Sequence, residues 1–258
     1  MSAANENQVL RVSVIMPAFN VAPWLHDAAQ SVLAQTFKDL ELIIVDDCST
    51  DSTRRIADDL AASDDRVRVL ATGSNIGGAR ARNLGLSAAR GSYVAFLDGD
   101  DLWAPEKLER QLQVMAGSGA ALCYTAIQKI DAEGLPFGRL QEVPPSISYD
   151  GLLGNPVIGC STALMDYQAL GRPLMPDIRK RQDFAFWLML LRAGAKAVGI
   201  NEPLTCYRVR PGSLSSNKIS AAWHVWRVYR EFEHLPLRRA VLNFVSYALR
   251  GYLKRSNR

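Results

Sequence analysis

Four short runs in the first half of the chain are apolar along their length, and they limit the possible folds more than any other feature. The runs are VSVIM (12–16), ELIIVDD (41–47), VRVLAT (67–72) and YVAFLD (93–98). A strand that is apolar throughout, rather than alternating, is covered on both faces of its sheet. Segments with apolar residues at helical spacing separate the runs. This order predicts parallel βαβ units, and therefore an α/β fold with helices on both faces of a mainly parallel sheet.

The second half of the chain is less regular. ALCYTAIQKI (121–130) and KAVGINEPLTCYRV (196–209) predict two further strands. DFAFWLMLLRAGA (183–195) predicts a largely buried helix. Residues 136–158 have no strong period, so we expect loops and one short helix there.

The composition is that of an ordinary globular protein, with 48% of the 258 residues hydrophobic and 22% charged. It excludes a disordered chain, a collagen and a disulfide-stapled miniprotein. No apolar run approaches the roughly 18 residues of a membrane-spanning helix. The polar start MSAANENQ lacks the features of a secretory signal, and the four cysteines are far apart with no CxxC pair. We therefore expect a reduced protein in the cytoplasm.

Polar residues follow three of the predicted strands, at the edge where doubly wound sheets bind their ligands. The segments are PAFN (17–20), DDCSTD (46–51) and DGDD (98–101). A single aspartate there would be a turn or a helix cap. Asp98, Asp100 and Asp101 together would repel one another unless a cation compensates them. Mg²⁺ or Mn²⁺ prefers carboxylate oxygens with substrate phosphates completing the shell, so the cluster favours a metal–phosphate site.

Asp46 and Asp47 end the second strand, where an acid commonly accepts hydrogen bonds from a ribose or a base. The alternative is a helix N-cap, to which Ser49 or Asp51 could contribute equally. A glycine cradle for a nucleotide is missing. PAFNVAPW contains no glycine, and neither GxGxxG nor GxxxxGK[ST] occurs in the chain. A nicotinamide-binding fold is therefore not expected.

Five separated motifs resemble those of glycosyltransferase family 2, whose GT-A fold enzymes transfer sugars from nucleotide-sugar donors with inversion. They are SVIMPAFN, LAQTFKDLELIIVDDCSTDST, NIGGARARNLGL, YVAFLDGDDLW and RQDFAFWL, in this order across roughly residues 11–215. RQDFAFWL followed by YRVRPGSLSSNK is most similar to bacterial enzymes of envelope polysaccharide assembly, including those of the teichuronic-acid type.

The resemblance implies how a donor nucleotide would be held. Phe19 corresponds to the aromatic residue that stacks on uracil, in the stretch from Pro17 to Asn20. Asp47 corresponds to the residue that binds the uracil ring, with Asp46 beside it. The expected donor is therefore a UDP-sugar.

The resemblance also assigns residues to the diphosphate and sugar. Arg82 and Asn83 match the RN pair near the donor, and Asp98 matches the first acid of the DxD motif, facing the ribose or the sugar. Asp100 matches the acid that contacts the Mn²⁺ or Mg²⁺ bridging the diphosphate. Arg208 could add positive charge there, although a surface arginine at a strand end is an equal alternative.

Asp183 matches the family's catalytic base, in a motif often written ED. Here Gln182 replaces the glutamate. Inverting transfer is one displacement at the anomeric carbon, so it needs one base and a stabilised leaving group. From the residues alone, Asp183 would instead be an N-cap at the start of an apolar helix. Only the resemblance favours the base.

The C-terminal part of the chain is basic. Residues 218–258 carry nine Lys or Arg and two Glu, a net charge of +7, which leaves −3 for residues 1–217. Two helices are expected between Ile219 and Lys254, separated near Pro236. We therefore expect a GT-A domain over 1–217 and a basic amphipathic extension over 218–258.

This extension has two interpretations of equal weight. Its aromatic and basic residues could lie in the membrane interface at the inner face of the cytoplasmic membrane, near a polyprenyl-linked acceptor. Alternatively, its apolar face packs on the body and the cations are solvated. Nucleic acid is not an expected partner, because the body is acidic and no recognition motif occurs.

The function predicted from the sequence is metal-dependent, inverting transfer of a sugar from a UDP-sugar to a glycan or lipid-linked glycan. Two other classes stay open. A sugar-1-phosphate nucleotidyltransferase shares the sheet, but it should carry a glycine- and lysine-rich loop after the first strand, which this chain lacks. A non-catalytic glycan- or partner-binding module would keep the fold without turnover.

Overall fold

The computed structural model of the protein describes residues 11–178, 180–210 and 218–256. Its strands are β1 (Val12–Ala18), β2 (Leu40–Asp46), β3 (Val67–Ala71), β4 (Tyr93–Phe96), β5 (Leu102–Trp103), β6 (Leu122–Ile130), β7 (Pro136–Gln141), β8 (Leu164–Asp166) and β9 (Ala197–Arg208). Its α-helices are α1 (Ala22–Leu33), α2 (Thr53–Ser63), α3 (Gly78–Ala88), α4 (Lys107–Ser118), α5 (Tyr149–Gly154), α6 (Gln182–Arg192), α7 (Lys218–Arg227) and α8 (Leu237–Ser256). A 3₁₀ turn covers Cys160–Thr162, and a π-helical segment covers Val228–Phe232.

The strands of the described residues form one mixed sheet in the order β3-β2-β1-β4-β8-β6-β9-β5, with β7 paired to β6. The parallel pairings β1–β2, β2–β3, β1–β4 and β6–β9 are longer than the antiparallel ones. The sheet is therefore mainly parallel, as the sequence predicts. The short strand β8 is antiparallel to both β4 and β6, and it joins the two parallel regions.

Both faces of the sheet are covered, which explains the uniformly apolar strands. In β2, Leu42 and Ile44 face a core shared with α1, α2 and α4. Ile43 and Val45, the alternate residues, face a second core shared with α3, α5 and α6. Because successive side chains of a strand point to opposite faces, each residue of such a strand must be apolar. The predicted α/β class, with helices on both faces, is confirmed.

The sequence interpretation was wrong for residues 136–141, which form strand β7 rather than a loop. The short helix expected in the same region is α5. The short strands β5 and β8 were not predicted either. Strands of two or three residues have no period to detect, and β7 is an exposed edge strand that contains a proline and a glycine. Pairing with neighbouring strands, rather than local pattern, defines all three.

The two C-terminal helices are present, with Pro236 just before α8 as expected. Val225, Val228 and Tyr229 are buried in the same core as α5 and α6. The hydroxyl of Tyr229 donates to the carbonyl oxygen of Leu153. No helix among the described residues is both long and apolar enough to span a membrane. The predicted domain boundary at residue 217 lies outside the described residues, and the division into two parts stays a prediction.

Candidate active site

The ends of β1, β2 and β4 lie side by side because these strands are parallel and in register. Ala18 pairs with Asp46, and Ile15 pairs with Phe96. The polar segments that follow the three strands therefore meet at one edge of the sheet, as the sequence predicts. The same edge receives the N-terminal ends of α3 and α6, as shown below.

Phe19 and Asn20 leave the end of β1 in different environments. Pro17 still pairs with Val45 within the sheet, whereas Phe19 is 44% exposed. Asn20 has a φ of 51°, and its side-chain oxygen accepts the Thr50 N–H at 2.9 Å. Asn20 thus links two strand ends, while the Phe19 ring is open to stack on a ligand.

Asp47 fixes the loop that precedes α3. Its carboxylate accepts the N–H groups of Ile76 and Gly77, each at 2.8 Å, and the hydroxyl of Thr72 at 3.0 Å. Gly77 has a φ of +85°, in the region that favours glycine. Asp46 is buried, and it accepts the Ser49 N–H at 3.3 Å. Contact of either acid with uracil stays a prediction.

Asp98 forms an ion pair with Arg82, which is buried on α3. Burial alone would lower the pKa of Arg82, but the negative charges of Asp98 and Asp183 raise it above its usual value. Arg82 is therefore a permanent cation at this edge of the sheet. Its Nε is buried and has no hydrogen-bond partner among the described residues. The backbone N–H of Asp98 donates to the hydroxyl of Ser161 at 3.2 Å.

Asp100 forms an ion pair with Arg210, in which the arginine Nε lies 2.7 Å from the carboxylate Oδ2. Burial and the nearby charge of Asp98 raise the pKa of Asp100, while Arg210 opposes that shift. The Arg210 guanidinium also lies over the Trp24 ring, 4.7 Å from its centroid. Sequence analysis did not identify Arg210. The only signal was its spacing from Arg208, which places both side chains on one side of an extended segment.

Arg208 and Asp101 hold the DGDD loop in place, and contact of Arg208 with the donor stays a prediction. Arg208 donates to the carbonyl oxygens of Asp100, Asp131 and Ala132 at 2.8–3.0 Å. The buried carboxylate of Asp101 accepts the Ser161 hydroxyl at 2.6 Å and the Arg208 N–H at 2.9 Å. Burial and the charges of Asp98 and Asp100 raise its pKa well above the usual value. Of the three clustered aspartates, Asp101 is therefore a structural residue.

Ser161 was also missed by sequence analysis. It contacts both ends of the DGDD segment, and its carbonyl oxygen accepts the Trp103 indole N–H at 2.7 Å. No motif marks this serine, because it lies in an irregular segment that only the fold brings under β4.

Asn83, beside Arg82, forms two hydrogen bonds with the backbone of Met175. Its amide nitrogen donates to the Met175 carbonyl oxygen at 2.9 Å, and its amide oxygen accepts the Met175 N–H at 2.8 Å. Asn83 therefore holds the loop that leads toward α6. Contact of Asn83 with the donor stays a prediction.

Asp183 lies in the first turn of α6, after Arg181 at the N-cap position. It is thus a helical residue and not the cap that the residues alone suggested. No hydrogen bond to its half-buried carboxylate is found among the described residues, although its charge acts on Arg82. A Cβ on Gly78 would lie 2.9 Å from the guanidinium of Arg82 and 3.4 Å from the amide of Gln182. The starts of α3 and α6 therefore meet beside Asp98.

The residues at this edge fit a metal only in company with a phosphate ligand. Within the described parts of the chain, no group of three or more His, Cys, Asp or Glu could hold a metal ion. Asp98 and Asp100 offer two carboxylates, each beside an arginine. Mg²⁺ is commonly held by one or two carboxylates plus substrate phosphates. The donor set is compatible with that arrangement.

Solved structures share this fold. The first 349 residues of Staphylococcus aureus TarS in complex with UDP-GlcNAc align with a TM-score of 0.70 at 20% identity, over 92% of this chain and 71% of that one. The mannosyltransferase PcManGT of Pyrobaculum calidifontis, in complex with GDP-Man and Mn²⁺, aligns with a TM-score of 0.69 at 18% identity, over 92% and 69%. At these identities the likeness shows the fold alone, which is GT-A.

Sequence comparisons identify the family. The model described as Glycosyl transferase family 2 matches residues 13–188. TuaG of Bacillus subtilis, named as a glycosyltransferase of teichuronic acid biosynthesis, is 44% identical over 95% of this chain and 97% of its own length. The Escherichia coli UDP-Glc:alpha-D-GlcNAc-diphosphoundecaprenol beta-1,3-glucosyltransferase WfgD is 34% identical over 93% and 94%. The chain therefore belongs to glycosyltransferase family 2 and is a glycosyltransferase.

Proposed function

We propose that this enzyme transfers a sugar from a UDP-sugar to a polyprenyl-diphosphate-linked glycan during assembly of a cell-envelope polysaccharide. The relative WfgD is named for a UDP-Glc donor and a diphosphoundecaprenol acceptor, and TuaG is named for teichuronic acid biosynthesis. Both align over almost their whole length. The observation that carries the proposal is the edge of the sheet where Asp98, Asp100 and Asp183 lie near two arginines, because these residues can bind a diphosphate and activate an alcohol.

Asp183 is the proposed base. An inverting transfer breaks the bond from the anomeric carbon to the diphosphate as the acceptor oxygen attacks from the opposite side, and the acceptor proton passes to the base. The Asp183 carboxylate is half-buried at this edge of the sheet, and none of the described residues donates a hydrogen bond to it. The charge of Asp183 acts on the buried guanidinium of Arg82, so a permanent cation lies near the proposed base.

Asp100 is proposed to hold a divalent Mn²⁺ or Mg²⁺ together with the donor diphosphate, and Asp98 is proposed to face the ribose or the sugar. When bound, such an ion neutralises the charge that develops on the departing diphosphate. The chain's own residues contribute the rest. Asp101, Ser161 and Arg208 keep the DGDD loop rigid, so the two carboxylates need little reorganisation when the donor binds.

The uracil is proposed to lie at the ends of β1 and β2. The exposed ring of Phe19 supplies a stacking surface, and Asn20 orders the adjoining turn. Pro17, Asp46 and Asp47 are proposed to line the same uracil site. The three donors already on Asp47 leave its carboxylate able to accept roughly one more hydrogen bond, from the N–H of a base.

Peripheral contact with the inner face of the cytoplasmic membrane is proposed through α8, because the proposed acceptor is anchored there. One side of α8 exposes five apolar residues to 44–71% of their surface: Leu237, Val241, Leu242, Val245 and Leu249. An adjoining side, with Ala240 and Phe244, packs on the core. The sequence of α8 holds five Lys or Arg and no Asp or Glu. Apolar and basic residues together fit a surface of anionic lipids.

The test is turnover with defined substrates. Purified enzyme is incubated with UDP-, GDP- and dTDP-sugars, Mn²⁺ or Mg²⁺, and a GlcNAc-diphosphate carried on a short prenyl chain. We expect UDP release, loss of release with EDTA, and a product whose new anomeric bond is inverted by NMR. Release of GDP from GDP-sugars instead would contradict the proposed uracil nucleotide of the donor. Turnover of free glycans but not of the prenyl-linked acceptor would contradict the proposed acceptor.

The two alternative classes give different results in the same assay. A sugar-1-phosphate nucleotidyltransferase would release pyrophosphate from a nucleoside triphosphate and a sugar phosphate, and nothing in the family match favours it. A non-catalytic module would bind UDP without turnover. Substitution of Asp183 would then leave its cellular activity unchanged.

A further inference from the structure

Arg210 contacts the acid that would carry the metal. Its Nε lies 2.7 Å from Oδ2 of Asp100. The two side chains are only 25% and 18% exposed. An ion pair in such a position is less screened by solvent than the exposed pairs of the surface. Arg210 therefore balances the charge of Asp100.

Trp24 fixes the position of Arg210. The guanidinium lies 4.7 Å from the centroid of the Trp24 ring, within the range of a cation–π contact. The indole N–H of Trp24 donates to the carbonyl oxygen of Ala132 at 3.1 Å, so the ring is itself held in place. Arg210 is thus held by a fixed aromatic face on one side and by Asp100 on the other.

A divalent ion and Arg210 require the same carboxylate. The guanidinium keeps its positive charge, so it repels a second cation that binds the Asp100 carboxylate. A metal ion arriving alone would have to break the ion pair and leave Arg210 without a partner in a partly buried position. A metal ion arriving with a diphosphate brings anionic oxygens that complete its own shell and can accept Arg210.

We propose that Arg210 is a positioning residue that holds the metal-binding carboxylate of Asp100 until the donor arrives, and so makes the metal and the nucleotide bind cooperatively. This inference rests on the proposed metal-dependent use of a UDP-sugar. The coupling is reciprocal, so UDP strengthens metal binding by the same factor by which the metal strengthens UDP binding.

The test measures binding of Mn²⁺ to the full-length protein by electron paramagnetic resonance, with and without UDP. In the wild type, we expect UDP to strengthen Mn²⁺ binding by a factor in the usual range of about 5- to 150-fold. In Arg210→Met, Mn²⁺ should bind about tenfold more tightly without UDP, and the gain from UDP should shrink by the same factor. Arg210→Lys keeps a cation beside Asp100 and should retain most of the coupling.

Two more variants control the comparison. Arg110→Met also removes one paired arginine, from the Arg110–Glu202 pair elsewhere on the molecule, and should leave both Mn²⁺ affinities unchanged. Trp24→Leu removes the aromatic ring beneath Arg210 and, like Arg210→Met, should tighten Mn²⁺ binding in the absence of UDP. This variant tests the inference if Arg210→Met is unstable. Equal UDP-free Mn²⁺ affinities in the wild type, Arg210→Met and Trp24→Leu would overturn the inference alone. Failure of the wild type to bind Mn²⁺ even with UDP would overturn the proposed function as well.

Discussion

At the scale of single residues, the aspartates at this edge of the sheet have two kinds of role. Some are placed to contact a ligand, and others hold the loop in its conformation. Asp98 and Asp100 face arginines at its edge, whereas Asp101 turns inward to Ser161 and the Arg208 N–H. Asp183 has no hydrogen bond from the described residues and lies where its charge acts on Arg82. Residue type and order were enough to predict the acidic cluster. They were not enough to predict which way each carboxylate points, because that depends on the hydrogen-bond donor that lies beside it.

Asp183→Asn tests the base. The amide keeps the shape of the side chain but cannot accept a proton, so kcat should fall by about 10²- to 10⁴-fold while the affinity for UDP stays unchanged. Steady-state kinetics and calorimetric titration with UDP measure the two effects. Asp177→Asn is the matched control, because Asp177 is an exposed acid on a nearby loop that pairs with Arg80. Equal turnover by both variants would exclude Asp183 as the base.

The burial of Lys107 leads us to predict that the stability of the folded protein depends on pH. Burial lowers the pKa of this lysine to about 7, from 10.5. Its Nζ donates to Gln111 at 2.7 Å and lies 3.9 Å from the centroid of the Trp103 ring. Between pH 7 and 10.5 the unfolded chain binds more protons at this group than the folded chain, so stability rises with pH in that window and is constant below it.

Lys107→Met should remove this slope. Thermal unfolding from pH 6 to pH 9 should show the wild type gaining stability relative to the variant as the pH rises above 7. Lys38→Met removes an exposed lysine, and its curve of stability against pH should run parallel to that of the wild type. Parallel curves for Lys107→Met would mean that Lys107 keeps its ordinary affinity for protons in the folded protein.

At the scale of elements, the DGDD loop depends on a segment 60 to 63 residues away in the chain. Ser161 lies in the 3₁₀ turn before β8, and it accepts the Asp98 N–H while donating to Asp101. Local sequence predicted the strand β4 and the acidic loop after it. It could not predict what holds the loop, because that contact forms only when β8 pairs beside β4.

Ser161→Ala tests this support. The substitution leaves the buried Asp101 carboxylate without one donor, which should lower the free energy of unfolding by about 1–3 kcal/mol. KM for the donor should rise, because the Asp98 and Asp100 carboxylates lose their fixed positions. Ser63→Ala removes a hydroxyl that bonds only within its own helix and should change neither quantity. A stable Ser161→Ala enzyme with unaltered KM would contradict the supporting role.

Helix α8 belongs to the same scale, and its exposed apolar side can be tested without substrate. Val241→Asp with Leu242→Asp should weaken pelleting with vesicles of anionic lipid by at least about tenfold, since each buried Val or Leu contributes roughly 1.5–3 kcal/mol. Leu135→Asp is the control, because Leu135 is 65% exposed on a turn far from α8 in the chain. Equal loss in both variants, or no loss in either, would refute contact through α8.

At the scale of the whole molecule, the C-terminal helices are joined to the main core. Val225, Val228 and Tyr229 are buried there with residues of α5 and α6, and Trp226 packs edge-on against Phe244 of α8. The sequence left packing and membrane contact as equal alternatives. The structure gives the two sides of α8 different environments, one packed and one exposed. Removing the whole extension is therefore a poor test of membrane contact.

Truncation after Asn217 tests whether the C-terminal helices are part of the main core. The loss of Val225, Val228 and Tyr229 exposes apolar surface of α5 and α6, so the free energy of unfolding should fall by at least about 4 kcal/mol. Chemical denaturation of the full and truncated chains measures the difference, and a chain that ends before α8 gives the intermediate case. Unchanged stability would show that residues 218–258 are an independent extension, as the sequence predicts.

The sequence by itself determined the α/β class, the alternating order of strands and helices, the acidic end of the sheet and the family. These properties follow from short-range patterns: apolar runs, helical spacing, and motifs carried on contiguous residues. Only the tertiary structure decided that Asp101 supports the loop, that Arg208 bonds to backbone carbonyl groups, that Arg210 pairs with Asp100, and that α8 has one packed side. Each depends on contacts between residues distant in the chain, which a local pattern does not encode because the partner of a side chain is fixed by packing.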